Sequence, residues 1–483
     1  MKKFLSALLC AALMLGLCLL PAQAAPACGC GEVLQVFMDG WGQDLFYDEG
    51  TPGETKAEMA DTSQIWPNLP AVLWGAVCTL FTGNWDYLAK GAAALVLGMM
   101  GSMRMDENGQ SVLPITSHWK LDPAQDHRTR PEFYFRYDYR LDLFDIAAEL
   151  NDFIETLCKQ TGHGKIALTG HSEGAAVAMT YLKVYGTKRL ETLILANGGW
   201  QGLTMAGQLI SGQFDLPPAA LTNYIANNDD GSGLLAAGMD MLRASRLLDI
   251  TTVVAAFARG VMMESVDRYV LLPLLCQIPA IWAFVPDEYY AAARQAIAGE
   301  AKYAKLLAGA DRYHKEVSTQ AKALLDKAMK DGVKVAVMCS YGFAPLPITR
   351  DAFYPSDGLI DTAREAGGAT YAPIGQTLPP GDSKYRSPDG VFDAATCILP
   401  DQTWFVKYNG HNHRPFEPLR QWVIHAKRQP TVWDNPAFPQ YLRRAGEFEA
   451  VPLGSEAPPA QAATFAQAAR AFAALAWERM WDR

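Results

Sequence analysis

The sequence predicts an α/β fold in which a mostly parallel central sheet is flanked by helices. Short apolar runs typical of buried strands alternate with longer segments whose apolar residues recur every three to four positions. Strands that are joined through helices run parallel, so this alternation indicates crossover connections. Residues 201–330 interrupt the alternation, because they have helical patterns but no strand pattern, and they predict a large helical insertion.

Four predicted strands come from the first part of the chain. They cover residues 33–39, 133–139, 165–169 and 190–196. Before the third of these strands, apolar residues recur at helical spacing from Ile146 to Leu157, and Gly162 ends that helix. A second helix, rich in small residues, is predicted over 175–185, before the fourth strand.

The predicted sheet resumes after the insertion. Residues 333–339 (VKVAVMC) have the pattern of a buried strand, and residues 404–408 are predicted as a last short strand before a helix over 416–427. An insertion of this kind usually covers a site at the carboxyl ends of the strands. We therefore expect residues 201–330 to form a helical cap or lid.

Within the predicted cap, residues 269–286 contain no charged side chain. The stretch is long enough to suggest a membrane span, but Pro273, Pro279 and Pro286 would break a spanning helix. We expect a buried segment of the cap; the alternative is a lid or a lipid-facing surface. Four aromatic residues of this region could either line an acyl pocket or pack in an ordinary core: Trp282, Phe284, Tyr289 and Tyr290.

The amino terminus has the pattern of a bacterial signal peptide. Lys2 and Lys3 precede an apolar run, and small residues follow it, so we expect cleavage after Ala24 and export to the cell envelope or the medium. The tail is rich in alanine, with apolar residues at helical spacing. The chain therefore divides into a signal peptide (1–24), two core parts (25–200 and 331–430) around the cap (201–330), and a carboxy-terminal extension with a helix (431–483).

Composition excludes two other classes of protein. Of the 483 residues, 50% are apolar and 19% are charged, whereas disordered chains are poor in apolar residues and rich in charge. The net charge of −9, without a block of lysine and arginine, gives no reason to expect nucleic acid as a partner. The sequence does not predict an oligomeric state.

Seven cysteines remain after the predicted cleavage site, so at least one is unpaired. One or two disulfides are expected, with Cys28 or Cys30 joined to Cys78 as a candidate pair. Cys28 and Cys30 are too close in sequence for a zinc knuckle, and no second pair has matching spacing. One polar loop contains His118, Asp122, Asp126 and His127; binding of Ca²⁺ or Zn²⁺ is the alternative there, but the spacing is irregular and we expect a solvated loop. We therefore expect no metal ion and no cofactor.

Residues 170–174 (GHSEG) match the pattern G-x-S-x-G between a predicted strand and a predicted helix. That position is typical of a nucleophilic serine, here Ser172, on a sharp strand-to-helix turn. Glycine is expected at both Gly170 and Gly174, because a Cβ atom at either position would clash with the neighbouring strand and helix. The alternative is a serine that only caps a helix.

A nucleophilic serine needs a histidine that takes its proton and an acid that orients the histidine, and in this architecture the acid precedes the histidine. Asp357 follows the 333–339 strand and is the candidate acid; Asp361 is its alternative. Four histidines follow Ser172: His314, His411, His413 and His425. His411 comes directly after the last strand and is preferred, with His413 as the alternative base, whereas the other two are expected to be solvated.

An oxyanion that forms on the substrate needs two backbone N–H donors. The N–H of Glu173, the residue after the nucleophile, is one candidate. The second is expected from the loop after the first strand, residues 39–42 (DGWG), with Trp41 as the candidate.

These motifs resemble, in order, those of the lecithin:cholesterol acyltransferase-like branch of the α/β-hydrolases. The matching stretches are FMDGWG (37–42), YDYR (137–140), GHSEG, SDG (356–358) and IPAIWAFVP (278–286). The resemblance implies an α/β-hydrolase fold, a triad of Ser172, Asp357 and His411, and an oxyanion hole at Trp41 and Glu173. It also implies acyl-ester lipids as substrates and no metal cofactor. Glu173 and Ser356 depart from the family's usual apolar residue and glycine.

Together, these residues predict a secreted serine hydrolase that cleaves carboxylic esters of hydrophobic or lipid-like acyl groups. A lipid acyltransferase would use the same triad, and a serine peptidase is a further alternative. A catalytically silent binding protein is least favoured, because such a protein should have lost part of the triad. Transient contact with a membrane or lipid surface is expected as part of this function.

Overall fold

A computed structural model describes residues 28–47, 54–213, 217, 220, 224, 269, 272–298, 303–348, 352–413 and 416–454. The predicted signal peptide lies outside these residues. So do most of residues 214–271 in the predicted cap, and the predicted helix of the carboxy-terminal extension.

The central sheet has eight strands, seven of which run parallel. In spatial order the strands are β13-β12-β11-β8-β7-β6-β1-β5. Their bounds are β1 Gln35–Met38, β5 Glu132–Tyr134, β6 Ile166–His171, β7 Leu190–Ala196, β8 Lys334–Tyr341, β11 Thr403–Lys407, β12 Tyr441–Arg444 and β13 Ala450–Pro452. The prediction of a mostly parallel sheet flanked by helices is confirmed.

Two small antiparallel sheets lie outside the central one. The first contains β2 Leu45–Tyr47, β3 Thr55–Ala57 and β4 Ile115–Thr116, and the second contains β9 Thr370–Tyr371 and β10 Phe392–Asp393. None of these five strands is predicted from the sequence, because each has only two or three residues and too few side chains for an alternating pattern.

Twelve α-helices lie in the described part of the chain. They are α1 Ile65–Thr82, α2 Asp86–Met99, α3 Leu143–Thr161, α4 Glu173–Tyr185, α5 Thr204–Ile210, α6 Leu272–Leu274, α7 Pro279–Ala283, α8 Asp287–Ala298, α9 Ala304–Tyr313, α10 Ala321–Lys330, α11 Thr362–Glu365 and α12 Glu417–His425. A π-helical turn, His314–Ser318, follows α9.

Helices cover both faces of the sheet because successive side chains of a strand point to opposite faces. In β8, Val335 and Val337 pack in the core shared with α3, α4 and α10. Ala336 and Met338 pack instead against α12, with Trp404 in the same cluster. Every residue of β8 is buried, as is typical of a central parallel strand.

The prediction that residues 404–408 form the last strand of the sheet is wrong. β12 pairs with β11 in parallel, and β13 closes that edge antiparallel to β12. Both strands lie in the predicted carboxy-terminal extension. β12 has only four residues, two of them arginines, so its sequence lacks the apolar run of the other parallel strands.

The insertion begins after β7 and ends before β8, although these two strands are neighbours in the sheet. The described part of the inserted chain contains helices α5 to α10 and no strand, as predicted. The described part of the uncharged stretch is broken ahead of Pro279 into α6 and α7, and α7 ends before Pro286, whereas Pro273 lies within α6. Ile278, Trp282 and Val285 are fully buried there, so its described residues form a buried segment.

Helices α1 and α2 form a hairpin with closely packed backbones. A Cβ atom at Gly75 would collide with the backbone of Tyr87, and one at Gly91 would collide with the backbone of Ala71. Helix α1 has no charged residue, and the helical segment Thr62–Thr82 is long and apolar enough to cross a membrane. Only 11% of its most apolar 18-residue window is buried.

The predicted disulfides are not formed. All seven cysteines after the predicted cleavage site lie in the described part of the chain, and none of them is in a disulfide there. Cys78 is on α1, whereas Cys28 and Cys30 contact histidine side chains. Cys158 and Cys339 are buried, as expected.

Candidate active site

Ser172 occupies a sharp turn between the end of β6 at His171 and the start of α4 at Glu173. Its backbone has φ 57° and ψ −123°, a conformation that L residues rarely adopt. The Ser172 N–H donates to the Ala196 carbonyl of β7 at 3.1 Å, and the Gly199 N–H donates to the Ser172 carbonyl at 3.1 Å. The surrounding backbone therefore holds the strained turn in place.

The two glycines of the motif are required by their neighbours, as the sequence predicts. A Cβ atom at Gly170 would collide with the carbonyl of Gly174. A Cβ atom at Gly174 would lie 2.7 Å from the carbonyl oxygen of Met38 in β1. Helix α4 therefore begins in contact with the end of β1, which brings the loop after β1 next to Ser172.

Ser172, His411 and Asp357 form one chain of hydrogen bonds. His411 Nε2 lies 2.9 Å from Ser172 Oγ, and His411 Nδ1 lies 2.5 Å from Asp357 Oδ2. The three residues come from loops that follow β6, β8 and β11 at the carboxyl edge of the sheet. This arrangement allows the imidazole to take the proton of the serine while the carboxylate fixes the orientation of the ring.

The loop that carries Asp357 is fixed by its own hydrogen bonds. The N–H groups of Leu359 and Ile360 donate to Asp357 Oδ1 at 2.9 and 2.7 Å, which leaves Oδ2 to the histidine. The His411 N–H donates to the Asp357 carbonyl at 2.9 Å, so the backbones of the two loops are also joined.

Asp361, the alternative acid, has other partners. Its carboxylate accepts from the N–H and hydroxyl of Thr204 at 2.9 and 2.8 Å and pairs with Arg364 Nε at 2.8 Å. These contacts anchor the start of α5 to the loop after β8, and Asp361 does not take part in the hydrogen-bond chain of Ser172.

The charges of the acid and the base stabilise each other. Burial acts against the charged form of His411, but the carboxylate of Asp357 and its hydrogen bond, with a contribution from Asp39, raise the pKa of His411. Burial acts against the charge of Asp357 as well. The charge of His411 and the hydrogen bonds to the carboxylate outweigh this effect of burial, so the pKa of Asp357 lies below its usual value.

A second buried carboxyl group, Glu365, lies behind Asp357. Burial and the charge of Asp357 raise the pKa of Glu365 well above its usual range, which favours the protonated form of this group. The Ser340 N–H donates to Glu365 Oε2 at 2.8 Å. In that form Glu365 adds no second negative charge beside Asp357, and its position on α11 gives no signal in the sequence.

The backbone of His411 is held from the side opposite Asp357. His171 Nε2 and Asn197 Nδ2 lie 2.9 and 3.2 Å from the His411 carbonyl, and His171 Nδ1 lies 2.6 Å from Asp39 Oδ1. Sequence reasoning missed these three residues. A signal for these residues was present in the sequence. Each is a polar residue at the end of one of three neighbouring strands, where the functional residues of such sheets lie.

In the described part of the chain, none of the other candidate bases forms a hydrogen bond with Ser172. His413 has an exposed side chain two residues beyond His411, and His425 is also exposed, as expected. The expectation of a solvated His314 is wrong, because this side chain is buried. Its Nδ1 lies 2.6 Å from Asp287 Oδ1 and its Nε2 lies 2.9 Å from the Trp282 carbonyl.

The loop after β1 lies against Ser172, as the two predicted N–H donors require. A Cβ atom at Gly40 would lie 2.7 Å from the Glu173 nitrogen. Glu173 is the first residue of α4, so its N–H has no acceptor within the helix. Trp41 and Glu173 line the same cavity as Ser172.

The YDYR stretch supports this loop from behind. The Tyr137 hydroxyl donates to the Asp39 carbonyl at 2.5 Å, and the rings of Trp41 and Tyr139 are 5.7 Å apart. Arg140 is fully buried in a bidentate pair with Asp138, at 2.9 and 2.6 Å. Its remaining N–H groups donate to the loop between α2 and β5.

A cavity of about 240 Å³ opens beside Ser172. Its lining is almost entirely apolar and comes from the loops after β1, β7 and β8, from α5 and from the uncharged stretch. Ile281 and Phe284 of that stretch line the cavity, whereas Trp282 packs in a separate core cluster with Tyr289 and Tyr290. Of the four predicted aromatic residues, one therefore contributes to the lining.

The carboxyl group of Glu173 is an unusual part of this lining. The residue is 1% exposed, and neither carboxyl oxygen has a hydrogen-bond partner among the described residues. Burial, with the charge of Asp138, raises the pKa of Glu173 well above its usual range. Burial therefore favours the neutral form of this carboxyl group, which belongs to the residue next to Ser172.

Two groups of described residues bring potential metal ligands together. One consists of Asp357, Glu365 and His411, in which the carboxylate of Asp357 and both ring nitrogens of His411 already take part in the hydrogen bonds described above. The other consists of Cys28, Cys30 and His127, outside this site.

The chain matches none of the protein-family models, and no curated protein matches it. What the site does must therefore be inferred from its own geometry.

Proposed function

We propose that the chain is a serine hydrolase with an α/β-hydrolase fold that cleaves carboxylic esters. The observation that carries the proposal is the continuous hydrogen-bond chain from Ser172 Oγ through His411 to Asp357, built on a strained strand-to-helix turn. Structural serines have no need of such a chain or of a positive φ. Asp357 and His411 are the proposed acid and base.

In the proposed reaction, Ser172 Oγ attacks the ester carbonyl while its proton passes to His411 Nε2. The negative charge that develops on the carbonyl oxygen is bound by the N–H groups of Trp41 and Glu173. The imidazolium returns the proton to the leaving alcohol, and an acyl-enzyme remains on Ser172. Water activated by His411 then releases the acid and restores the serine.

The apolar cavity supports a hydrophobic acyl group as the part of the substrate that is bound. Burial of apolar surface stabilises such a group by roughly 25 cal/mol per Å², whereas the lining offers few partners to a polar chain. We infer that α5 to α10 belong to a cap over this cavity, because Leu203, Ile281 and Phe284 of the inserted chain form part of its wall.

This proposal agrees with the resemblance to the lecithin:cholesterol acyltransferase-like branch, in which lipid esters are the substrates. A lipid acyltransferase would use the same residues, with an alcohol in place of water. Release of free acid in the presence of an added long-chain alcohol supports a hydrolase, and a new ester would support a transferase. Cleavage of peptides but not of esters would favour the peptidase alternative.

Helix α1 is the proposed contact with a lipid surface. Trp66, Trp74, Leu80 and Phe81 are between 68% and 87% exposed, on a helix without charge. Monomeric soluble proteins rarely expose a contiguous apolar surface of this kind unless it binds something. A secreted or envelope-bound location, proposed from the amino-terminal pattern, would bring this helix to membranes.

A fluorophosphonate probe tests the central claim, because it reacts covalently with activated serines. We expect the probe to label the wild type and the Ser63→Ala control, whose exposed serine lies far from the site in sequence, but not Ser172→Ala. Hydrolysis of a chromogenic ester should fall by about 10⁴-fold or more in Ser172→Ala. A wild type that is not labelled, or equal labelling of Ser172→Ala, contradicts the proposal.

A further inference from the structure

Two cysteines and two histidines meet away from the proposed active site. Cys28 and Cys30 lie just before β1, His127 lies in the loop before β5, and His163 follows α3 directly before β6. All four are half-buried. Because β1, β5 and β6 are parallel neighbours, the segments that enter them meet at the amino edge of the sheet, opposite the edge that carries Ser172.

The side chains face each other in two cysteine–histidine pairs. Cys28 Sγ lies 3.4 Å from His127 Nε2, and Cys30 Sγ lies 3.5 Å from His163 Nε2. The donor atoms of Cys28, Cys30 and His127 all lie within 4.8 Å of one another. The rings of His127 and His163 are edge to face, with centroids 5.2 Å apart.

The two cysteine–histidine separations match those of ligands around one tetrahedral zinc ion. Zinc–sulfur bonds of about 2.3 Å and zinc–nitrogen bonds of about 2.0–2.1 Å place sulfur and nitrogen roughly 3.5 Å apart. Thiolate and imidazole together are ligands that suit zinc, whereas calcium and magnesium prefer oxygen.

Hydrogen bonds within the group do not account for the cluster. Thiols are weak donors and weak acceptors, and His163 Nε2 has an alternative partner in the Glu32 carbonyl at 3.2 Å. His163 Nδ1 is buried and has no hydrogen-bond partner among the described residues. A buried imidazole nitrogen without a partner is costly, so the hydrogen bonds of His163 are incomplete in this arrangement.

We propose that Cys28, Cys30, His127 and His163 bind a structural zinc ion that fixes the amino-terminal segment to the sheet. The Cys28 N–H already donates to the Gly162 carbonyl at 2.9 Å, so the segment follows the loop after α3 even without metal. Four protein ligands would leave no open position for substrate, which is typical of structural rather than catalytic zinc. The proposal differs from the expectation, drawn from the sequence, that no metal is bound. That expectation rested on the short spacing of Cys28 and Cys30 and not on the histidines that the fold brings next to them.

The test uses the full exported chain, reduced, freed of metal, and titrated with zinc chloride. We expect one zinc ion per chain by elemental analysis. Cobalt in its place should give the visible absorption bands of a tetrahedral thiolate complex. The double variant Cys28→Ser/Cys30→Ser and the single variant His127→Gln should lose zinc, whereas the controls Cys78→Ser and His118→Gln should keep it.

Thermal unfolding separates binding at this site from zinc that binds elsewhere. A chelator should lower the Tm of the wild type and leave the Tm of the double variant unchanged, because zinc bound to the folded state stabilises it. No zinc on the reduced wild type, equal zinc on the double variant, or a Cys28–Cys30 disulfide that persists after reduction would overturn the proposal. The outcome does not depend on the proposed hydrolase activity, since the two sites lie at opposite edges of the sheet.

Discussion

Gly40 approaches Ser172 so closely that a methyl group on Gly40 would lie 2.6 Å from the serine Oγ. The nucleophile therefore faces a backbone without a side chain, and the space beside it is available for a substrate carbonyl. The same contact brings the loop after β1 close to the Glu173 nitrogen. The absence of a side chain at Gly40 therefore leaves room both for Ser172 Oγ and for the proposed oxyanion hole.

Gly40→Ala should abolish ester hydrolysis in a protein that still folds. The added carbon would displace Ser172 Oγ and block the Glu173 N–H, and loss of one oxyanion donor alone costs about 10²–10³ in kcat. Gly164→Ala is the control, because its Cβ would meet nothing within 4 Å. Circular dichroism and kcat measured on both variants check the prediction, and an active Gly40→Ala would show that the loop lies elsewhere.

His411→Ala should reduce kcat/KM by about 10⁴-fold or more, since the imidazole acts together with Ser172. His413→Ala should stay within a few-fold of the wild type because its side chain is exposed and is not in the hydrogen-bond chain. Hydrolysis rates of a p-nitrophenyl ester decide between them. The reverse result would transfer the role of base to His413.

Activity should fall as the pH is lowered through the pKa of His411, because only the neutral imidazole accepts the serine proton. Asp357 raises this pKa, so the acid limb of kcat/KM should lie above the usual histidine value of about 6.5. In Asp357→Asn the carboxylate is lost and burial remains, so the limb should move to lower pH, and the rate should fall by about 10⁴-fold. An unmoved limb would mean that another group titrates.

Ile281→Trp should shift the substrate preference toward shorter acyl chains. Ile281 lines the cavity beside Ser172, and a larger ring there would remove volume that a long chain needs. kcat/KM across p-nitrophenyl esters of increasing chain length measures the shift. Overpacking can cost about 1–3 kcal/mol of stability, so the free energy of unfolding is measured alongside. Equal loss for all chain lengths would place the acyl group outside this cavity.

The triple variant Trp74→Ser, Leu80→Ser and Phe81→Ser should bind phosphatidylcholine vesicles about tenfold more weakly or worse. Burial of each large apolar side chain stabilises membrane contact by roughly 1.5–3 kcal/mol. Val184→Ser, at an exposed apolar residue on α4, is the control. Co-sedimentation with vesicles measures the effect, and unchanged binding would exclude α1 as the lipid contact.

Most of the parallel strands, with the exception of β12, and the three residues of the hydrogen-bond chain were predictable because their signals are local. β6, β7 and β8 are each rich in apolar, buried residues, and each glycine of the motif around Ser172 is required by a close backbone contact. Asp357 and His411 followed from the order of strands and from the loops after β8 and β11. The sequence alone does not decide between His411 and His413. The choice depends on the three-dimensional arrangement of the turn, since only one of its two histidine side chains can reach Ser172.

The contacts between distant segments were not predictable from local pattern. Glu365 and His171 are single polar residues whose roles depend on which loops meet at the carboxyl edge of the sheet. His314 was expected to be solvated because its neighbours are charged, yet one face of its helical turn packs against α7 and α8. The cluster around Cys28 and His163 is similar, because 133 residues separate Cys30 from its histidine.

The pairing of β7 with β8 affects how fast the chain folds and how readily the length of the insertion can change in evolution. Residues 197–333 must be looped out before these two neighbours meet, so this contact is among the least local in the sheet and should form slowly. The entropy of closing such a loop grows only with the logarithm of its length, by about 0.6 kcal/mol per doubling. The length of the insertion can therefore change in evolution at little cost in loop entropy while Ser172 and His411 keep their positions, provided that α10, which packs in the core shared with β8, is retained.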